Sequence, residues 1–346
     1  MVVKFSDWIA GHHPKFESLT ESVVLIMSRL LKDANIPYLA VSGRTKSIKD
    51  CLAKVDRKNY KHPITEMTDI SGVRIIVYFD YDIEKISRLI ETNFNVDKIN
   101  SSNRDDLLSV NEVGYRSVHY VCDLGKDRIR LTENRNLEGL KLEFQVRTVL
   151  QHAWAELAHD RNYKFTGDLP KHIERKLFLL AALMETADNG FSELSKEIDE
   201  YLRRVAEATA QGSLDIEINS LSIDEYVTQW AKDNKFRIEQ MKNRESYSEL
   251  VRELKDFGVT TLEGLQAIIP ERYAEECRDD SSTVLGIVRD WMMLSDPEGF
   301  LENVNVEWSL VQDDMKKFHL FISAEQINAL DRALGVEDNW EAPQTN

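Results

Sequence analysis

Along residues 140–147, Lys141, Glu143, Gln145 and Arg147 point one way while Leu140, Leu142, Phe144 and Val146 point the other. A strand with this period-two pattern buries one face and presents the opposite one. A second row comes from the strand entered through Gly114, where Tyr115, Ser117, His119 and Val121 share a face. In a third, Arg74 shares a face with Ile76, Tyr78 and Asp80, with Asp69 in the turn just before and Gly72 allowing close backbone approach. On one sheet these rows assemble a surface with two carboxylates, several cations and an exposed ring. Carboxylates from separate strands suit Mg²⁺, which favours hard oxygen ligands and keeps waters and phosphate oxygens in its shell. Arginines and lysines neutralise a triphosphate and the charge that develops in phosphoryl transfer, and a ring stacks a base. The mixture suits nucleotide-phosphate chemistry better than a Ser/His/Asp triad or zinc; a merely solvated strand face is the alternative.

The elements that must position these residues are readable in outline. Residues 18–35 open with Ser18 and Glu21 at capping-box spacing and place Leu19, Val23, Ile26 and Leu30 at helical spacing, which predicts a helix starting at Ser18. Pro37 follows, and residues 38–46 read as a short strand. The strand leads into a basic stretch, Arg44, Lys46, Lys49, Lys54, Arg57, Lys58 and Lys61, readable as a ligand cradle or as a solvated helix face. Residues 72–79 are dense in β-branched and aromatic side chains and predict a strand, with a helix after it carrying Ile83, Ile86, Leu89, Ile90 and Phe94. Further strands are expected at 116–122 and 140–147, a helix at 149–159, and a helical hairpin over 170–208. Residues 209–220 contain Gly212 without helical periodicity and read as a linker. Beyond it the chain reads as helical, with capping-box spacings at Ser222/Glu225, Thr260/Glu263 and Ser323/Gln326.

Composition bounds the function. The 346 residues are 42% apolar and 30% charged, enough for one large or two medium cores. No window approaches a membrane span and the first ten residues lack a secretory pattern, so a soluble cytoplasmic protein is expected. Cys51, Cys122 and Cys277 show no ligand spacing and read as reduced thiols. The net charge of -16 is unevenly placed: residues 191–346 hold 16 basic and 33 acidic side chains, residues 1–190 hold 28 and 27. A phosphate-rich ligand belongs in the first half. There is no Walker A, GxGxxG or HExxH string. His152, Glu156 and His159 fall at helical spacing, but that order is not a zinc-protease arrangement.

Together, Arg44-Thr45-Lys46 with Lys54, TDISGVRI at 68–75, VGYRSVHY at 113–120, and EFQVRT at 143–148 followed by HAWAELAHD at 152–160 resemble the RelA/SpoT-type alarmone synthetase domain. The resemblance spans about residues 38–165, with four motifs in the family's order. It implies an α+β fold, a mixed β-sheet flanked by helices, followed here by an all-α C-terminal domain. The implied division is 1–169 for the pyrophosphotransferase domain, 170–208 for the hairpin packed on it, 209–220 for the linker and 221–346 for an acidic regulatory or interaction domain. The implied activity moves the β,γ-pyrophosphate of ATP to the 3′-hydroxyl of GTP or GDP, giving (p)ppGpp, with Mg²⁺ as cofactor. Carried over by position, Arg44, Lys46, Lys54 and Arg74 hold the ATP phosphates and Asp69 and Glu143 hold Mg²⁺. Glu143 also accepts the proton of the attacking hydroxyl. Tyr115 stacks on the acceptor base, and His119, Gln145 and Arg147 line the acceptor side.

The chain departs from the family pattern in places. Asp50 stands where a serine is common, and Asn111, with Glu112 beside it, stands where many small synthetases have a lysine, although Arg104 lies in the preceding loop. This keeps open a toxin-like branch that pyrophosphorylates the 3′ end of tRNA, for which Arg128, Arg130, Arg135, Lys171, Arg175 and Lys176 offer a basic track. A nucleotide sensor without catalysis is the non-enzymatic alternative, disfavoured by Asp69, Arg74, Tyr115 and Glu143. Nothing like the family's hydrolase domain precedes residue 38, so synthesis without hydrolysis is expected. The C-terminal domain shows no catalytic constellation, and a protein partner or regulatory role is expected there.

Overall fold

The β-branched run at Ser71–Val77 buries Ser71, Val73, Ile75 and Val77 on one face, and the alternating run at Leu142–Thr148 buries Leu142, Phe144, Val146 and Thr148 likewise. Such strands are stable only when paired on both sides, and they form the middle of a mixed sheet. The computed structural model describes residues 4–103, 117–160, 170–239, 246–277, 281–306, 308–311 and 316–337. By contact it divides into two units, Met1–Ser195 and Lys196–Asn346. In the first, the order is α1 (Phe5–Asp33), β1 (Tyr38–Thr45), α2 (Ile48–Lys58), α3 (Pro63–Glu66), β2 (Ser71–Val77), α4 (Tyr81–Asn93), β3 (Asn95–Val96), β4 (Ser102–Asn103), β5 (Val118–Asp123), α5 (Gly125–Ile129), β6 (Leu142–Thr148), α6 (Val149–Asp160) and the start of α7 (Lys171–Ala210), whose residues from Lys196 on belong to the second unit.

The sheet order is β1-β2-β6-β5-β3, with β4 also on β5. β2 and β6 are parallel, and the other pairs of this sheet are antiparallel. Register decides which rows meet. Arg74 lies opposite Gln145, which lies opposite His119 on its other side; Gly72 and Val121 flank Glu143 in the same way. Arg44 pairs with Gly72 on β1. The expected polar rows therefore share one face.

The opposite face is covered by α1, whose Ile9, Phe16, Leu19, Val23, Met27 and Leu31 are buried. Contact is closest at Gly43, where a Cβ would stand 2.5 Å from Thr20 Cγ2 and 2.8 Å from Val24 Cγ2. α1 starts 13 residues before the expected Ser18, since Phe5 and Ser18 lie in one continuous helix. Ser18 does not cap: its hydroxyl donates to the Pro14 carbonyl inside the helix. The hairpin expected over 170–208 is instead the single helix α7. Gly190 sits within it in open space, and a lone glycine costs about 1 kcal/mol without forcing a turn.

The second unit is helical, with Ser220–Asp233, Ser246–Asp256, Val284–Ser295, Pro297–Asn303 and Ala324–Leu334 among its helices. Its core surrounds fully buried Trp291, Tyr273, Phe300 and Phe318. Residues 209–220, expected as a linker, contribute Leu214 and Ile218 to that core. Ser323/Gln326 forms the expected capping box, but Asn219 caps the first helix with Ser222 at its third position, and Thr261 rather than Thr260 caps Leu262–Ala267. Two pairings between two-residue parallel strands, Arg237–Ile238 with Ser281–Ser282 and Leu310–Val311 with Val336–Glu337, were not visible in the pattern. Among the described residues no helix is long and apolar enough to cross a membrane.

Candidate active site

The site gathers at the edge where β1 ends and β2 and β6 begin. Three hydroxyls pin that edge: Thr20 Oγ1 of α1 lies 2.8 Å from Thr45 Oγ1 and 2.7 Å from Ser71 Oγ, and donates to the Phe16 carbonyl at 2.8 Å. The β1–β2 ladder continues one step further, through the Lys46 amide to the Ile70 carbonyl at 2.8 Å. Ser47 then caps α2 by accepting from the Asp50 amide, which places Lys54 two turns into the helix.

Lys46 and Lys54 converge on Asp69. Their ammonium groups donate to the same oxygen, Oδ2, at 2.5 and 2.6 Å. Burial pushes the Asp69 carboxyl up, but the two ammonium hydrogen bonds outweigh it and hold the group below its ordinary value. Burial lowers Lys54 in turn, and its hydrogen bond to Asp69, together with the attraction of Asp69 and the more distant Glu143, more than restores it. The other oxygen, Oδ1, is buried without a hydrogen-bond partner among the described residues. A buried carboxylate oxygen with no donor is costly unless a ligand satisfies it.

Glu143 lies on the adjacent strand. Gln145 Nε2 donates to its Oε1 at 2.8 Å and His119 Nδ1 lies 3.1 Å from the same oxygen. Burial raises this carboxyl too, while His119 and Gln145 bring it below the ordinary value; Asp69 is near enough to oppose them. Asp69 and Glu143 thus feel each other across the β2–β6 pair. Among the described residues no group of three or more His, Cys, Asp or Glu side chains gathers for a metal. A cation here would rest on these two carboxylates, a donor set that suits Mg²⁺ completed by water and phosphate oxygens, and the orphaned Asp69 Oδ1 fits that role.

Cations line the rest of the face. Arg74 donates to Glu156 of α6 at 2.8 Å, while its Nε is buried without a hydrogen-bond partner among the described residues. Arg44 is 77% exposed and lies 3.8 Å from Asp50, the residue that departs from the family pattern. Arg147 belongs to the same row, opposite Ile76, and its charge, with that of Arg74, helps depress His152, after burial as the larger cause. The structure therefore brings together Arg44, Lys46, Lys54, Asp69, Arg74, His119, Glu143, Gln145 and Arg147 on or at the edge of one face. Tyr115, with Arg104, Asn111 and Glu112, lies outside the described residues. Two ties were missed by sequence reasoning: the Arg74–Glu156 pair, whose members are 82 positions apart, and the hydrogen bond of Ser117 Oγ with His119 Nε2 at 2.7 Å. No local pattern signals the first; the i, i+2 spacing on one strand face signals the second.

A family model described as a region found in RelA / SpoT proteins matches residues 43–168. The GTP pyrophosphokinase YjbM of Bacillus subtilis is 30% identical over 173 residues, covering 49% of this chain and 77% of the relative. YwaC of the same organism, also a GTP pyrophosphokinase, is 30% identical over 167 residues, covering 47% and 76%. The crystal structure of small alarmone synthetase 1 from Bacillus subtilis is 26% identical, covering 56% of this chain and 99% of that one, with a TM-score of 0.46. With the four motifs in order and a relative matched over most of its length, the chain belongs to the RelA/SpoT family, as an alarmone synthetase of the GTP pyrophosphokinase type.

Proposed function

We propose that the first unit transfers the β,γ-pyrophosphate of ATP to the 3′-hydroxyl of GTP or GDP. The observation that carries this reading is the pair of carboxylates, Asp69 and Glu143, held ionised on one polar face among cations, with Asp69 Oδ1 buried and unsatisfied. Similarity to relatives named GTP pyrophosphokinases supports the acceptor class.

Lys46, Lys54, Arg74 and Arg44 bind and orient the triphosphate, neutralising charge that grows on the transferred group. Asp69 and Glu143 would hold Mg²⁺, which when bound would supply further neutralisation of the phosphate charge. Tyr115, Gln145 and Arg147 form the acceptor side, and His119 lies beside Glu143. Glu143 takes the proton of the 3′-hydroxyl as the O3′–Pβ bond forms. The bond from Pβ to the bridging oxygen of the α-phosphate breaks, its electron pair leaves with AMP, and the product carries a 3′-pyrophosphate. We assign the second unit a regulatory or partner-binding role and the whole a cytoplasmic location.

The test is incubation of the purified chain with γ-labelled ATP, Mg²⁺ and either GDP, GTP or bulk tRNA. Label is expected on the guanosine nucleotides with release of AMP; label on tRNA alone overturns the acceptor. The Glu143→Gln protein is expected to lose at least about 100-fold in rate with its melting temperature little changed. An active Glu143→Gln protein refutes the assigned base.

A further inference from the structure

Both ring nitrogens of His119 are engaged inside the protein. Nδ1 faces Glu143 Oε1 at 3.1 Å and Nε2 lies 2.7 Å from Ser117 Oγ, a residue only 7% exposed. An ionised carboxylate can only accept, so the proton of a neutral imidazole belongs on Nδ1. Nε2 is then an acceptor, and the Ser117 hydroxyl donates to it. Hydroxyl, imidazole and carboxylate form one directed chain from β5 to β6, and register makes it possible, since His119 pairs with Gln145 and Val121 with Glu143. Gln145 donates to the same Glu143 oxygen from its own strand. Both contacts fall on Oε1.

We propose that His119, oriented by Ser117, is a positioning residue for Glu143 rather than a group that contacts the acceptor nucleotide. Together with Gln145 it saturates Oε1, fixes the carboxylate plane, and directs Oε2 toward the 3′-hydroxyl whose proton it takes. Ser117 acts by holding the imidazole in the tautomer that donates to Glu143. The inference rests on the reading of Glu143 as the base.

Positioning and substrate contact separate in kinetics. A contact to the acceptor, when removed, raises KM; a group that only aims the base lowers kcat. With the full chain, saturating ATP and varied GDP, His119→Ala is expected to lower kcat about 10–100-fold while KM for GDP changes less than about threefold. His119→Asn places an amide N–H where Nδ1 stood and is expected to recover kcat to within about fivefold of the parent, which a merely structural role would not produce. Ser117→Ala, which leaves the ring in place, is expected to lower kcat about threefold to tenfold at unchanged KM, and serves if His119→Ala fails to fold. A raised KM at parental kcat, or an Asn variant as impaired as Ala with an unchanged melting temperature, overturns the proposal. A parent chain that labels no guanosine nucleotide overturns the underlying reading and the proposal with it, a result distinct from either.

Discussion

Two ammonium groups on one oxygen of Asp69 leave a cluster of net charge +1, and Arg44 and Arg74 extend it, so the proposed triphosphate would meet a positive cradle within an acidic chain. A second pair works outside the site. Asp97 accepts from the Lys141 ammonium at 2.5 Å, from the Asn100 amide at 2.7 Å, and from the Ile99 and Asn100 backbone N–H groups. The Lys141 and Asn100 hydrogen bonds hold its carboxyl at about 2, below the ordinary 3.8. A carboxyl depressed in the folded state stabilises above its unfolded value, and that stability drains away as pH falls through the folded value. The Asp97→Asn protein is expected to be less stable by about 1–2 kcal/mol at neutral pH in urea denaturation, the gap closing as pH is lowered from about 4 toward about 2. A gap that stays constant with pH would remove the ion pair as its cause. Lys141 was legible as a member of the polar row, but its partner was not, because Asp97 reaches it only after β3 pairs with β5.

At the level of elements, β1 and α1 pack closely at Gly43. Gly43 faces α1, so Arg44 beside it must face the other way, onto the polar surface. The atoms that a Cβ would meet belong to Thr20 and Val24, both β-branched and stiff in a helix, and Thr20 is further tied to Thr45 and Ser71. Gly43→Ala therefore cannot be absorbed by a rotamer change and is expected to cost about 1–3 kcal/mol, measured by chemical denaturation. An unchanged midpoint would show that α1 can move away. The four long strands, β1, β2, β5 and β6, were legible to within two residues because alternation and β-branched density are local signals, whereas the two-residue strands carry too few residues to show either. The start of α1 was not: Ser18 and Glu21 have cap spacing, yet the stripe through Ile9 and Phe16 continues upstream and its burial against the sheet decides the boundary. The hairpin expected over 170–208 is one helix, because helical periodicity carries on through Gly190 and nothing there forces a turn. Within the site, motif order identified Asp69, Arg74 and Glu143, whereas the contacts of Glu143 with His119 and of Arg74 with Glu156 depend on register and packing.

At the scale of the molecule, each unit has its own buried core, one spread over the sheet and α1, the other around Trp291. The region matched to the RelA/SpoT family lies within the first unit. The second is held by a buried ionic network as well as by aromatic packing. Glu253, 2% exposed, accepts from Arg289 Nε at 2.8 Å and Nη2 at 2.7 Å, and from Trp308 Nε1 at 2.8 Å. The Arg289 guanidinium also lies 4.4 Å from the centre of the Trp308 ring. Removing one member of such a pair leaves a buried charge uncompensated, at a cost of about 3–5 kcal/mol. Two separate cores predict two calorimetric transitions rather than one. Arg289→Ala is expected to lower one of them by roughly 10 °C and leave the other in place, whereas a single transition moving as a whole would mean that the two cores unfold as one cooperative body.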